Sequence, residues 1–218
     1  LLGEAIEFAS ESGIRIAVLC DPWKDRRIGE AGRVREKLGY DPDLVNDYRE
    51  VLSRKDIDAV LISTPDHQHC SMLSAAVKAG KDVYIEKPLA FNFEELRSAV
   101  ADVRNSSRVV QVGTQIRSLP ASRGARELYA SGRLGKVFKV EQSRNAKVPF
   151  WHQKARPNLK ESDVDWGLFL FNRGMRPFDP DVYSAWMGYR EFCLGVHTQL
   201  MVHFIDTVHY VTGAPYPE

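Results

Sequence analysis

Four short apolar runs recur along the chain: "IRIAVLC" (14–20), "DAVLI" (58–62), "DVYI" (82–85) and "RVVQV" (108–112). They are nearly continuous in β-branched and aliphatic residues rather than alternating. Strands of this kind must be covered on both faces. The segments between them have helical spacing and their own start and stop signals. Leu1 to Ser12 ends before Gly13, "KDRRIGEAGRVREKLGY" ends at Gly39, and Leu44 to Arg54 forms a further helical stretch. "HQHCSMLSAAVKAG" is stopped by Gly80, and another helix is opened by Asn92 with Glu94 and Glu95 in its first turn. Strand and helix alternating in this way specify a parallel sheet with right-handed crossovers. The expectation is an α/β fold, a doubly wound parallel sheet over residues 1–118, followed by an incomplete α+β domain over 119–218. In that second part, one helix runs from Pro120 to near Gly132. "GKVFKVEQSRN" alternates like a half-buried antiparallel strand, and 146–190, rich in Trp, Phe, Tyr and Pro, reads as an ordered, irregular, packed segment.

Composition narrows the function. A net charge of +1 over 218 residues, with no like-charge run, leaves nothing to neutralise a phosphate backbone, so no nucleic-acid partner is expected. Cys20, Cys70 and Cys193 are odd in number and widely spaced, which fits reduced structural thiols. No segment approaches the roughly 18 apolar residues of a membrane helix, so no membrane partner is expected either. The start lacks a basic n-region and a cleavage site. A cytoplasmic location is the expectation for these residues, with an export signal upstream of Leu1 as the alternative.

The ends of the strands carry the chemistry. Pro88 cannot donate to a ladder and biases Lys87 toward extended backbone, so the strand 82–85 stops with Glu86 and Lys87 at its carboxyl end. In open parallel sheets ligands bind at that end. Asp21 closes "IRIAVLC" where an acidic residue can accept from the ribose hydroxyls of a dinucleotide. A simple Asp-Pro turn is the alternative. Ser63, Thr64 and Pro65 follow the strand "DAVLI", with His69 at the start of the next helix. The chain opens inside what would be the first helix, so no GxGxxG phosphate loop can be quoted.

Taken in order, Thr64, Pro65 and His69 (Thr-Pro-x-x-x-His), Glu86, Lys87 and Pro88 (Glu-Lys-Pro), "QVGTQIR" at Gln111 to Arg117, and "LMVHFIDTVHYVTG" at 200–213 resemble the Gfo/Idh/MocA family of NAD(P)-dependent sugar and polyol oxidoreductases. The resemblance implies a Rossmann-type domain lacking its first strand and most of its C-terminal sheet. It implies NAD as cofactor, with NADP as the alternative, bound by Asp21, Ser63, Thr64, Pro65, His69, Glu86, Lys87 and Gln115. Lys87 and His203 would be catalytic. Lys87, Asp206 and Arg117 would bind a sugar or polyol substrate, with Glu86 orienting the lysine. A homo-oligomer is implied at full length. The family form has an acidic residue and a glycine shortly before the histidine, where this chain has Gln199 and Met201. The tryptophans and "RPFDP" (176–180) resemble a substrate-facing insertion, with a packed irregular subdomain as the alternative. No metal is expected, because His203, Asp206 and His209 on one helix lack a converging fourth ligand. A transient-redox glycosidase and a non-catalytic dinucleotide sensor are the rival functions.

Overall fold

A computed structural model describes residues 1–143 and 156–214. Five strands and nine α-helices occur among them. The strands are β1 (Val18–Cys20), β2 (Asp43–Val45), β3 (Ala59–Ile62), β4 (Asp82–Ile85) and β5 (Val110–Val112), all paired in parallel. They form a two-stranded sheet, β1-β2, and a three-stranded sheet ordered β3-β4-β5, with β4 in the middle. The helices are α1 (Leu2–Ser12), α2 (Lys24–Leu38), α3 (Tyr48–Ser53), α4 (His69–Lys78), α5 (Phe93–Arg104), α6 (Pro120–Ala130), α7 (Trp166–Leu170), α8 (Pro180–Ser184) and α9 (Val202–Thr212).

Local chemistry explains where these elements start and stop. Gly13 and Gly39 adopt the left-handed conformation at φ 73° and 78° and end α1 and α2, as glycine does without a Cβ penalty. The Asn92 side chain accepts from the backbone N–H of Glu95 at 2.9 Å and opens α5, with Glu94 and Glu95 beside its positive end. One core lies where α4 and α5 meet β4, built from Met72, Leu73, Ala76, Val77, Val83, Ile85 and Ala99. Ile85 is wholly buried, which contributes about 2 to 3 kcal/mol.

Several sequence expectations need correction. The helical stretch expected at Leu44 to Arg54 is β2 followed by α3, because Asp47 accepts from the backbone N–H of Arg49 and starts the helix only there. The strand β3, expected to be buried along its length, exposes Leu61 at 43%. It is an edge strand, paired only with β4 among the described residues. The antiparallel strand expected at 135–145 is not formed over 135–143. That segment is exposed and has no strand beside it among the described residues, and Phe138 is 91% exposed. The rest of that segment lies outside the described residues.

The aromatic stretch is ordered where it is described. Trp166, Phe169, Leu170, Val182, Tyr183 and Phe192 form a second core. Trp166 stacks on Phe169 at 5.2 Å, and its indole N–H donates to the carbonyl of Arg176 at 2.8 Å. These rings face one another, which favours the packed-subdomain alternative for them. Trp151 lies outside the described residues. The layer is tied to the parallel sheets by Asn46, whose amide donates to Asp165 at 2.8 Å, and by Trp23, which meets Tyr183 edge-on.

Candidate active site

The carboxyl ends of β3, β4 and β5 lie side by side. Each delivers one of the three strand-end motifs: Ser63–Thr64–Pro65, Glu86–Lys87–Pro88 and Gly113–Thr114–Gln115. The Lys87–Pro88 peptide bond is cis. His69 braces the first two motifs together. Its Nδ1 lies 2.7 Å from the carbonyl of Pro88 and its Nε2 lies 2.8 Å from the carbonyl of Thr64. Burial lowers its pKa against the pull of those two carbonyls. The Glu86 carboxylate accepts from the backbone N–H of Lys87 at 3.1 Å. Gly113 passes close by, and a Cβ there would sit 2.9 Å from the Tyr84 hydroxyl and 3.1 Å from Glu86 Oε1.

Across from these strand ends runs a five-residue π-helical turn, His197–Met201, which leads directly into α9. Such turns interrupt the regular ladder and recur at functional sites. The Lys87 ammonium donates to this turn twice, to the side-chain oxygen of Gln199 at 2.9 Å and to its backbone carbonyl at 3.0 Å. The Gln199 amide nitrogen donates to both oxygens of Asp66 at 2.7 Å. Asp66 is only 2% exposed, and burial first of all pushes its carboxyl up to about 6, against the pull of Cys193, Gln199 and Lys87. His203 is buried on the first turn of α9, four residues after Gln199.

The two residues expected to bind substrate beside Lys87 are bonded to each other. Arg117 forms a two-pronged ion pair with Asp206, one contact at 2.9 Å, and lies over the Tyr210 ring at 5.5 Å. Gln115 is exposed at the start of the 3₁₀ turn Gln115–Ser118, which also carries Arg117. Asp21 ends β1, where its carboxylate accepts from the backbone N–H of Trp23 at 2.8 Å, with Arg26 at 3.8 Å. Burial raises its pKa, opposed by that N–H and by Arg26 and Arg27. A hollow of about 120 Å³ lies between the two sheets, lined by Cys20, Asn46, Val60, Ile62, Thr64 and Leu168 among others. Among the described residues the buried Thr64 hydroxyl has no hydrogen-bond partner.

These donors and acceptors fit the two ends of a nicotinamide dinucleotide. Asp21 offers carboxylate oxygens to a ribose diol, and the Thr64 hydroxyl and the β4 end face the crevice where a nicotinamide would lie. No glycine-rich turn joins a strand end to a helix start among the described residues, so the pyrophosphate cradle is not among them. No group of three His, Cys, Asp or Glu is placed to hold a metal among those residues. No helix among them is long and apolar enough to cross a membrane.

Sequence did not single out Asp66, and it marked Gln199 only as a departure from the resembled family. Asp66 looks like any turn residue between two strands' motifs, and its partner is 133 positions away. The one available signal was Gln199 itself, standing where the resembled family has an acidic residue.

Comparison with known proteins bears on the fold and the family. Residues 8–114 match the family model GFO_IDH_MocA, described as an oxidoreductase family with an NAD-binding Rossmann fold. The scyllo-inositol 2-dehydrogenase (NAD(+)) of Bacillus subtilis is 35% identical over 127 residues, covering 58% of this chain and 36% of that protein. An oxidoreductase domain protein from Kribbella flavida shares the fold with a TM-score of 0.67 at 23% identity, over 96% of this chain and 50% of that one. A putative myo-inositol dehydrogenase from Sinorhizobium meliloti 1021 does so with a TM-score of 0.65 at 19% identity, over 97% and 51%. The chain thus spans about half the length of these solved relatives, and the curated match covers little more than a third of its counterpart.

Proposed function

Because the chain belongs, through residues 8–114, to the Gfo/Idh/MocA oxidoreductase family, we propose that it passes hydride between NAD and a secondary hydroxyl of a sugar, inositol or related polyol. The observation that carries this is the Lys87 ammonium bridging from the end of β4 to Gln199, the turn that delivers His203. Lys87 thereby contacts the turn that leads directly into the helix carrying His203, which supports assigning both residues to one site. When bound, the cofactor supplies the hydride acceptor. Asp21 holds its ribose, and Ser63, Thr64, Pro65 and Gln115 line the nicotinamide end, with His69 and Glu86 fixing the backbone around them.

In the oxidative direction the substrate C–H electron pair leaves as hydride while the O–H proton passes to His203, and the carbon becomes a carbonyl. Lys87 stabilises the alkoxide character that develops on the oxygen. An isolated lysine, with a pKa of about 10.4, is cationic at neutral pH and suits that task. Arg117 and Asp206, joined as a pair, present hydrogen-bonding groups to further substrate hydroxyls. A homo-oligomer is part of the same proposal for the natively encoded polypeptide.

The test is reduced-nicotinamide formation on a panel of inositols and sugars, with the polypeptide as its native reading frame encodes it. Turnover that falls about 10²- to 10⁴-fold in His203→Ala supports the assignment. Cofactor binding with no turnover on any polyol revives the sensor. Glycosidic cleavage without net NADH identifies the transient-redox alternative.

A further inference from the structure

Gln199 makes two kinds of contact with opposite requirements. Its oxygen must accept from the Lys87 ammonium, and its nitrogen must donate to the Asp66 carboxylate. A flipped amide would set NH₂ against NH₃⁺ and a carbonyl against a carboxylate, so only one orientation is compatible with an ionised Asp66. We propose that Asp66 and Gln199 are positioning residues for Lys87, the buried carboxylate locking the amide so that its oxygen fixes the ammonium at the end of β4. This rests on the oxidoreductase reading for its purpose but not for its test. A carboxylate that burial disfavours sits at 2% exposure, held by an amide from a turn 133 residues away. The π-helical turn completes the device by aiming the backbone carbonyl of Gln199 at the same ammonium.

The groups around Asp66 define what a titration must separate. Cys193 lies 3.6 Å from the Gln199 amide nitrogen and is pushed up to about 11 by burial. Next to Asp66 on the same 3₁₀ turn, His67 is pushed down to about 4, chiefly by burial, with its Nε2 at the Phe169 carbonyl. Arg173 adds positive charge near His67, and His69 is lowered by burial. Lys87 itself faces the network, and His197 and His203 flank Gln199 on its own turn and on α9.

The Hε and Cε signals of Lys87 and the side-chain NH₂ signals of Gln199 can be followed by NMR against pH in the 218-residue chain, with neither cofactor nor substrate. The expected result is a shared step in both residues with a midpoint near the Asp66 value of about 6. It disappears in Asp66→Asn and is lost from Lys87 in Gln199→Met, which keeps the side-chain length without the amide. A step that survives Asp66→Asn comes from a group other than Asp66 and overturns the proposal, as does the absence of any step in Lys87. Independently of that variant, a Lys87 step unchanged in Gln199→Met overturns it equally. A step that behaves as expected in a protein without hydride transfer leaves the network standing and removes the oxidoreductase reading alone.

Discussion

At the scale of single residues, the site keeps a carboxylate where it is costly. Asp66 has a folded pKa raised above its unfolded one, so its contribution favours the fold at low pH and is lost as pH rises from about 4 through about 6. Asp66→Asn should therefore make the protein more stable at pH 7 by on the order of 2 kcal/mol, with the gain shrinking to nothing near pH 4. Denaturant melts across that range check it, and a gain independent of pH would remove the ionised carboxylate from the account. Asp21 bears on cofactor choice. On the proposed reading its carboxylate, just after β1, would accept from a ribose diol and repel a 2′-phosphate, so NAD should bind more tightly than NADP to the natively encoded polypeptide. Arg26 and Arg27 stand beside it and act in the opposite sense, so titration with both cofactors is decisive. Tighter NADP binding would reassign Asp21 to the local turn it also makes.

At the scale of elements, the strand ends are spaced by close packing. Gly113 passes under Tyr84 and Glu86, and Gly113→Ala should cost about 1 to 3 kcal/mol and displace the Glu86 carboxylate from the Lys87 N–H. Tyr84→Phe in the same background should recover part of that loss by removing the nearest clashing atom, the hydroxyl at 2.9 Å. Thermal melts of the single and double variants measure both effects, and an unperturbed Gly113→Ala would contradict the packing. This is also the scale at which sequence was most and least informative. The limits of β3 and β4 and the Asn92 start of α5 follow from apolar runs and local caps, which act over a few residues. The strand β2 escaped notice because three residues, Asp43 to Val45, with an aspartate at their head, carry no strand period of their own and exist only by pairing with β1. The segment 135–143 erred the other way: an alternating pattern without a neighbouring strand does not become one. Lys87 and His203 were proposed from the motifs that carry them. Their junction through Gln199 and Asp66 was not, because a hydrogen-bond chain across distant segments leaves no spacing to read.

At the scale of the whole molecule, two parallel sheets and an aromatic layer present one crevice whose ends suit a dinucleotide. The anion-binding turn between those ends is not among the described residues. Because no helix N-terminus with a glycine-rich turn to hold a pyrophosphate occurs among the described residues, the 218-residue chain should bind NAD weakly. Calorimetric titration checks this, and tight binding would mean that a different part of the chain cradles the phosphates. The central claim is that Lys87 acts on the reacting oxygen and does not merely decorate the end of a strand. It is tested most directly by comparing Lys87→Ala with the unaltered, natively encoded polypeptide, measuring kcat on a responsive polyol and NAD affinity separately. The account predicts a kcat lower by about 10²-fold or more with NAD affinity changed far less, since the lost interaction belongs to the transition state. Retention of most of the turnover in Lys87→Ala would contradict it and return Glu86 and Lys87 to a purely structural role.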